Sequence, residues 1–264
     1  MELLCPICGQ TLIKEQKTYG CARGHRFDVA RQGHVNLLPV QQKRSLHPGD
    51  TAQQVASRRA FLDGGYYAPI AHALQEMTED CAGPILDVGC GEGYYSASLA
   101  RHMGAELLGL DISKEAVRYA AGRYKEATWL CASAAHLPVE DHSAGLITSL
   151  FALTVPEEFL RVLRKDGAFL QVLAAEDHLM GLKKIIYPTL IHKEKDSTPE
   201  LAGFRLEASR HLEFTFTVEG EQVQNLLSMT PHVYRIGKEG AERLRETKTL
   251  TDRASCVLNL YRPL

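Results

Sequence analysis

Ile85-Leu-Asp-Val-Gly-Cys-Gly-Glu-Gly93 is an apolar, strand-like run that passes directly into a glycine-rich turn. Gly89, Gly91 and Gly93 have no Cβ, so the backbone can turn tightly there and approach a ligand closely. In an open parallel sheet such a turn lies beyond the carboxyl end of a strand, where ligands bind. The dinucleotide fingerprint G-x-G-x-x-G fails in both registers: its last glycine falls on Tyr94 when counted from Gly89, and on Ser96 when counted from Gly91. Asp87, two residues before the first glycine, would repel a pyrophosphate and attract an ammonium.

S-adenosylmethionine carries an ammonium, a sulfonium and a neutral adenosine, so the turn predicts this methyl donor. After a helix expected over 94–103, Glu106-Leu-Leu-Gly-Leu-Asp111 reads as a second strand ending in an acid. An acid at that place commonly holds both ribose hydroxyls of a nucleoside. The same residue could instead serve only to cap the helix that begins near Ser113. Further on, Trp129-Leu-Cys-Ala-Ser133 reads as the end of a third strand and Ala144–Phe151 as a buried fourth. Pro156–Gly167 reads as a helix with a glycine stop, and Ala168–Leu173 as a fifth strand. Alternating strands and helices predict a doubly wound α/β sheet. The late alternating runs from Phe204, His211 and Ser255 add antiparallel strands at one edge. The pattern fits the seven-stranded, mostly parallel sheet of a class I Rossmann-like methyltransferase better than a dehydrogenase.

The first residues carry a different signal. Cys5-x2-Cys8, twelve residues, then Cys21-x3-His25 has the spacing of a zinc site, with His34 as a competitor for the fourth place. Gly9, Gly20 and Gly24 flank these ligands. So short a segment cannot bury enough core to hold itself together, and a metal is its natural staple. Four protein ligands close the tetrahedron, which makes the zinc structural. The expected organisation is therefore a zinc-binding, RNA-recognition module over 1–38, a linker and helix over 39–75, and a methyltransferase domain over 76–264. In the linker, Asp50 or Thr51 should cap a helix with Val55, Phe61 and Leu62 on its apolar face and Gly64-Gly65 as its stop. Arg58 and Arg59 should project from it, with Tyr66-Tyr67 just beyond and another helix over about 68–80.

Composition narrows the class. With 45% hydrophobic and 23% charged residues, the chain reads as an ordinary soluble globular protein. It shows no apolar run of 18 residues and no signal-peptide pattern, so a cytoplasmic enzyme without a membrane partner is expected. Residues 1–60 hold a net charge of +5 and the remainder −7, within a total of −2. A basic zinc module on an acidic body suggests a polyanionic partner.

Several stretches together resemble the RlmA/TlrB family of bacterial 23S rRNA guanine-N1 methyltransferases over essentially the full length. They are Cys5-Pro-Ile-Cys8, Cys21 with His25, Gly33-His-Val-Asn-Leu-Leu-Pro-Val40, Lys43-Arg44 with Pro48-Gly-Asp50, Arg58-Arg-Ala-Phe-Leu-Asp63, Leu86–Tyr95 and Met229-Thr-Pro231. The resemblance implies methylation of N1 of a guanine in hairpin 35 of the 23S rRNA, with a role in macrolide resistance left open. It implies zinc on Cys5, Cys8, Cys21 and His25, and contacts to the cofactor from Tyr67, Tyr95, Ser96 and His178. Asp87, Gly89, Gly91, Gly93, Asp111 and Ser133 complete the expected cofactor set, and Lys43, Arg44, Arg58 and Arg59 the expected RNA contacts. One stretch departs from the family pattern: Phe151-Ala-Leu-Thr-Val155 replaces the Tyr-Ala-Pro-Cys of some members.

Guanine N1 bears a proton at neutral pH, so a base is expected near the acceptor. His178 and Asp177, after the fifth strand, are the catalytic candidates by topology, with Glu157 and Glu158 as alternatives and a cofactor-side contact as the other role for His178. The base must also be flipped, because N1 lies on its paired edge. Two other classes compete: a small-molecule methyltransferase of the quinone type, and a catalytically inactive zinc-dependent RNA-binding protein. A homodimer is compatible with all three.

Overall fold

The ribbon at the N-terminus is built from β1 (Ile13–Glu15), β2 (Thr18–Gly20) and β3 (Arg26–Asp28), an antiparallel sheet in that order. The computed structural model describes residues 1–42, 45, 48–190 and 196–264. Two of the expected RNA contacts, Lys43 and Arg44, lie outside the described residues. Beyond the ribbon, β4 (Val35–Asn36) leaves the small sheet for the large one. The linker then enters α1 (Ala52–Asp63). Thr51 caps it by accepting the Gln54 amide at 3.3 Å, while the Gln54 side chain accepts the Thr51 amide at 3.0 Å. This reciprocal pair satisfies two donors that a helix start leaves open. Gly64 ends α1, and Val55, Phe61 and Leu62 are buried as expected. A short turn leads to α2 (Ala68–Met77).

The main body continues as β5 (Ile85–Val88), α3 (Tyr94–Met103), β6 (Leu107–Asp111), α4 (Lys114–Arg123), β7 (Thr128–Cys131), β8 (Ala144–Leu150), α5 (Pro156–Val162) and β9 (Leu163–Ala174). It closes with α6 (Met180–Ile186), β10 (Phe204–Glu219), α7 (Glu221–Ser228), α8 (Lys238–Glu246) and β11 (Thr249–Pro263). The order in the large sheet is β10-β11-β9-β8-β5-β6-β7-β4. Strands from β4 to β9 pair in parallel, and β11 and β10 add antiparallel at the far edge. The order reverses between β5 and β8, which places a crevice at the carboxyl ends of these two strands.

The sheet has eight strands where the sequence predicted seven. The extra one is β4, whose two residues pair with Leu130 and Cys131 of β7. Nothing in two residues marks a strand, and β4 exists only because the edge of β7 offers it unpaired backbone groups. A second difference concerns the helix expected over 156–167. It stops at Val162, and Leu163 turns extended to pair with Ala144, so β9 begins five residues early. Exposed Arg164, Lys165 and Asp166 show no alternation, which hid this strand extension.

The two faces of the sheet are covered differently. Ile85, Leu107, Leu146 and Leu170 face a core completed by residues of α1, α2, α3 and α4. Leu86, Val88, Leu108, Leu110 and Ile147 face the other core, shared with Phe159 of α5 and with Leu3, Cys5, Leu12, Val35 and Leu37 of the N-terminal module. Each fully buried aliphatic side chain contributes roughly 1.5–3 kcal/mol. The module is also tied by backbone, since the Leu4 amide donates to Pro138 O at 2.9 Å and Leu37 N–H to Cys131 O at 2.9 Å.

Trp129, the one tryptophan of the chain, is 1% exposed and wedged beneath the glycine turn. A Cβ at Gly109 would stand 2.3 Å from its ring, and one at Gly93 2.5 Å. Gly109→Ala should therefore destabilise the fold by about 1–3 kcal/mol through overpacking. Trp129→Phe in the same chain should restore part of that loss, as measured by denaturant unfolding. Equal, additive losses from the two substitutions would show that this contact does not govern the site.

Candidate active site and metal centre

The metal centre is assembled by the ribbon. Cys5 and Cys8 lie on one tight turn, closed by the Gly9 amide on Cys5 O at 2.8 Å. Cys21 and His25 lie on a second, closed by the Gly24 amide on Cys21 O at 2.9 Å. Gly9 and Gly24 take φ of 73° and 83°, which glycine adopts without strain. The four ligand atoms lie within 4.8 Å of one another. Ligands set tetrahedrally around one zinc at about 2.3 Å for sulfur and 2.0 Å for nitrogen stand about 3.8 Å (S···S) and 3.5 Å (S···N) apart. The observed separations are 3.7 Å for Cys8 Sγ···Cys21 Sγ, 3.4 Å for Cys21 Sγ···His25 Nδ1 and 3.5 Å for Cys5 Sγ···His25 Nδ1. The donor set thus fits a structural Zn2+, with Nδ1 as the imidazole ligand. His34, the competitor, is 3% exposed outside this cluster, near Lys114 and Arg118 of α4. A second group, Asp177, His211 and Glu213, also lies within 4.8 Å. There Arg253 pairs with both carboxylates, so the cation is already supplied by the chain.

The candidate cofactor site lies around the glycine turn. Gly89, Gly91 and Gly93 all take positive φ, at 82°, 54° and 79°. Their roles differ. A Cβ at Gly89 would strike Ala152 at 2.5 Å and one at Gly93 would strike Trp129, whereas one at Gly91 meets only Arg58 Nη1, at 3.7 Å. Tight packing fixes the two ends of the turn, and Gly91 is the position left open toward a ligand.

Three carboxylates surround the turn. Asp87 is 3% exposed and accepts the Thr148 hydroxyl at 2.7 Å. Burial pushes its carboxyl up to about 6, against the opposing Thr148 and Ser96 hydroxyls. Asp111 accepts the Gly91 amide at 3.0 Å and the Ser113 amide at 2.7 Å, which holds its carboxylate at the end of β6. Burial raises it too, with these amides working the other way. Glu92, in the turn itself, is pushed up to about 7 by burial despite Arg58 nearby. Its Oε2 is buried without a hydrogen-bond partner. A ring of buried acids at the carboxyl ends of β5 and β6 suits a cationic nucleoside. The open Gly91 and the buried acids around it fit S-adenosylmethionine.

The other expected contacts come from distant segments. Ser133 follows β7, beside the end of β6, and its hydroxyl accepts the Ala135 amide at 3.2 Å. Ser96 is buried in the first turn of α3, and Tyr95 packs edge-on to Tyr94. Tyr67 is 2% exposed, with its ring against Phe61, Phe214 and Phe216 and its hydroxyl 3.4 Å from His178 Nε2. His178 Nδ1 lies 2.9 Å from Ser255 O. The ring of exposed Phe151, at φ 53°, stands 6.1 Å from that of His178. Asp177 pairs with Arg253, and its carboxyl is held below the usual range, first by the Ser255 hydroxyl and then by Arg253. Glu158 is tied to Arg161 and the Leu137 amide, while Glu157 is exposed in the first turn of α5.

The arginines of α1 do not share one role. Arg59 lies over the Tyr119 ring at 4.9 Å. Arg58 turns inward, its Nη1 2.5 Å from Asp50 and 3.8 Å from Glu92. The sequence alone treats Arg58 and Arg59 alike as expected RNA contacts and gives no role to Glu92 or Thr148. A charged residue between two glycines was the one available sign for Glu92. Thr148 and Asp87 are 61 positions apart, and no local pattern links them.

Two outcomes are expected. Chelation, or Cys21→Ser, should lower the unfolding temperature of the whole chain and expose apolar surface to a hydrophobic dye. Structural zinc is worth roughly 10–16 kcal/mol apparent, and the ribbon shares its core with the main sheet. Unchanged unfolding in the metal-free protein would contradict this. Asp87, raised from its ordinary 3.8 to about 6, adds stability below pH 4 that is lost as pH rises through 6. Asp87→Asn should therefore raise stability at pH 8 by at most about 3 kcal/mol, with the gain gone near pH 4, and should weaken S-adenosylmethionine binding. A gain independent of pH would refute the burial argument.

Two family descriptions match the chain: RlmA N-terminal, a zinc ribbon, over residues 3–46, and a methyltransferase domain over residues 85–167. The 23S rRNA (guanine(748)-N(1))-methyltransferase of Streptomyces fradiae is 35% identical over 239 residues, covering 87% of this chain and 84% of its own. A Bacillus subtilis protein assigned as a 23S rRNA (guanine-N(1)-)-methyltransferase is 28% identical over 93% of this chain and 91% of its own. Among solved structures, a protein of Anaeromyxobacter dehalogenans assigned as a type II methyltransferase superposes with a TM-score of 0.52 at 19% identity, over 72% of this chain and 95% of that one, which speaks for the fold alone. With a zinc ribbon docked on an S-adenosylmethionine-type sheet and this similarity along most of its length, the chain belongs to the RlmA/TlrB family of 23S rRNA (guanine-N1)-methyltransferases.

Proposed function

We propose that the chain methylates N1 of one guanine in hairpin 35 of 23S rRNA, with S-adenosylmethionine as donor. The observation that carries this reading is the pairing of that cofactor site with a basic zinc ribbon, in a chain similar along most of its length to an enzyme named for guanine 748 of 23S rRNA. Lys14, Lys17, Arg23, Arg26 and Arg31 are all exposed on the N-terminal module and supply a cationic face for phosphates. Phe151 and Leu153 are exposed just after β8, at the crevice edge where an acceptor base would enter. A flipped guanine can stack on an aromatic ring there. A quinone-type substrate would leave the basic module without a role. An inactive binding protein would have no use for the buried acids of the cofactor turn. No helix among the described residues is long and apolar enough to cross a membrane.

S-adenosylmethionine supplies the electrophilic methyl group when bound. The chain's own task is to hold donor and base in line and to keep water out. Asp177 makes a poor base, because its charge is committed to Arg253. We assign His178 with Tyr67 to the cofactor side, since the Tyr67 hydroxyl and Ser255 lie against its two ring nitrogens.

Primer extension on rRNA from cells with and without the gene tests the reading, because a methyl on N1 blocks reverse transcriptase. A stop within hairpin 35 that depends on the gene is expected, and its absence there would overturn the assignment. In purified enzyme, His178→Gln should raise the KM for S-adenosylmethionine and leave the pH profile of kcat unchanged. Loss of the acidic limb of that profile would make His178 the base instead.

A further inference from the structure

The strongest unassigned feature is Arg58 and the carboxylates around it. Its guanidinium comes from the middle of α1, reaches across the linker, and ends over Gly91, the open position of the cofactor turn. Asp50 holds it at 2.5 Å, and Glu92 Oε2, which has no hydrogen-bond partner, pairs with it more loosely at 3.8 Å. Asp111 is a third carboxyl group near it. Its side chain is only 24% exposed, which is costly for a charge that merely contacts RNA phosphates.

We propose that Arg58 binds the α-carboxylate of the methionine moiety of S-adenosylmethionine. The acids of the site suit the ammonium, the sulfonium and the ribose, but the methionyl group also carries a negative charge. Among the described residues, Arg58 is the cation that ion-pairs within the turn, through Glu92. Its planar fork matches a carboxylate by two parallel N–H donors. Asp50 acts as the resident counter-ion in the free enzyme and competes with the ligand carboxylate for the guanidinium. Gly49, at φ 79° and within 3 Å of Ser113 by its virtual Cβ, and the Ser113 hydroxyl on Asp50 O at 2.7 Å lock this segment against the start of α4. Linker, α1 and cofactor turn thereby meet at one side chain.

The test compares S-adenosylmethionine with its decarboxylated form, which keeps the adenosine, sulfonium and ammonium and lacks only the carboxylate. By calorimetry, Arg58→Gln should weaken the intact cofactor by about 10- to 100-fold, the range of a charged hydrogen bond, and change affinity for the decarboxylated form by less than about twofold. Wild-type protein should prefer the intact form by a similar factor. Asp50→Asn, which removes the competing anion, should tighten the intact form and leave the other unchanged. That variant and the wild-type preference decide the matter even where Arg58→Gln fails to fold. Equal weakening of both ligands would make Arg58 a structural tie only. Unchanged cofactor affinity together with weaker binding of an rRNA hairpin would return it to the RNA. Either result overturns the proposal.

Discussion

A parallel sheet must be covered on both faces, because its strands are apolar on each side. Here the crossovers through α3 and α4, with α1 and α2, cover one face. The connection from β7 to β8 contains no helix, so half of the other face would stand open beyond α5. The zinc ribbon fills that place. Leu3, Leu12, Val35 and Leu37 complete the core over β5, β6 and β7, and β4 closes the exposed edge of β7. Metal binding, sheet stability and the position of the basic module are thus a single linked problem. A module that merely hung from the body by a linker could lose its zinc without consequence for the cofactor site.

The same sheet sets the electrostatics of the site. Strand ends β5 and β6 bring Asp87 and Asp111 together, and the turn between β5 and α3 adds Glu92. Packing keeps all three away from water, so each carries a raised affinity for protons. Buried acids of this kind are stabilised by a cation, and S-adenosylmethionine brings two. That choice also explains why the dinucleotide pattern is broken: a pyrophosphate in this ring would meet carboxylates at close range.

Much of the site was legible because it is local. The Cys5-x2-Cys8 and Cys21-x3-His25 pairs each lie on one turn, so spacing alone aims both ligands at one point. The 85–93 run couples an apolar strand to a glycine-rich turn, and Asp50 or Thr51 ahead of Val55, Phe61 and Leu62 marks a helix start; which of the two caps it, and that Gln54 reciprocates, came from the structure. Other readings failed where distant parts compete. The helix expected to reach Gly167 ends at Val162, because pairing of Leu163 with Ala144 outweighs the remaining helical propensity. The three glycines looked alike in sequence, yet Trp129 and Ala152 claim two of them for packing.

The sequence by itself determined the Cys/His cluster of the ribbon, the glycine turn after β5 and the alternating α/β order, since each depends on residues a few positions apart. Only the tertiary structure decided the eighth strand, the inward course of Arg58, the hold of Thr148 on Asp87, and the meeting of Tyr67 with His178 across 111 positions. These rest on which surfaces remain to be covered once the sheet has formed. Burial and strand pairing act between segments that share no local pattern, so their outcome appears only when the chain is packed.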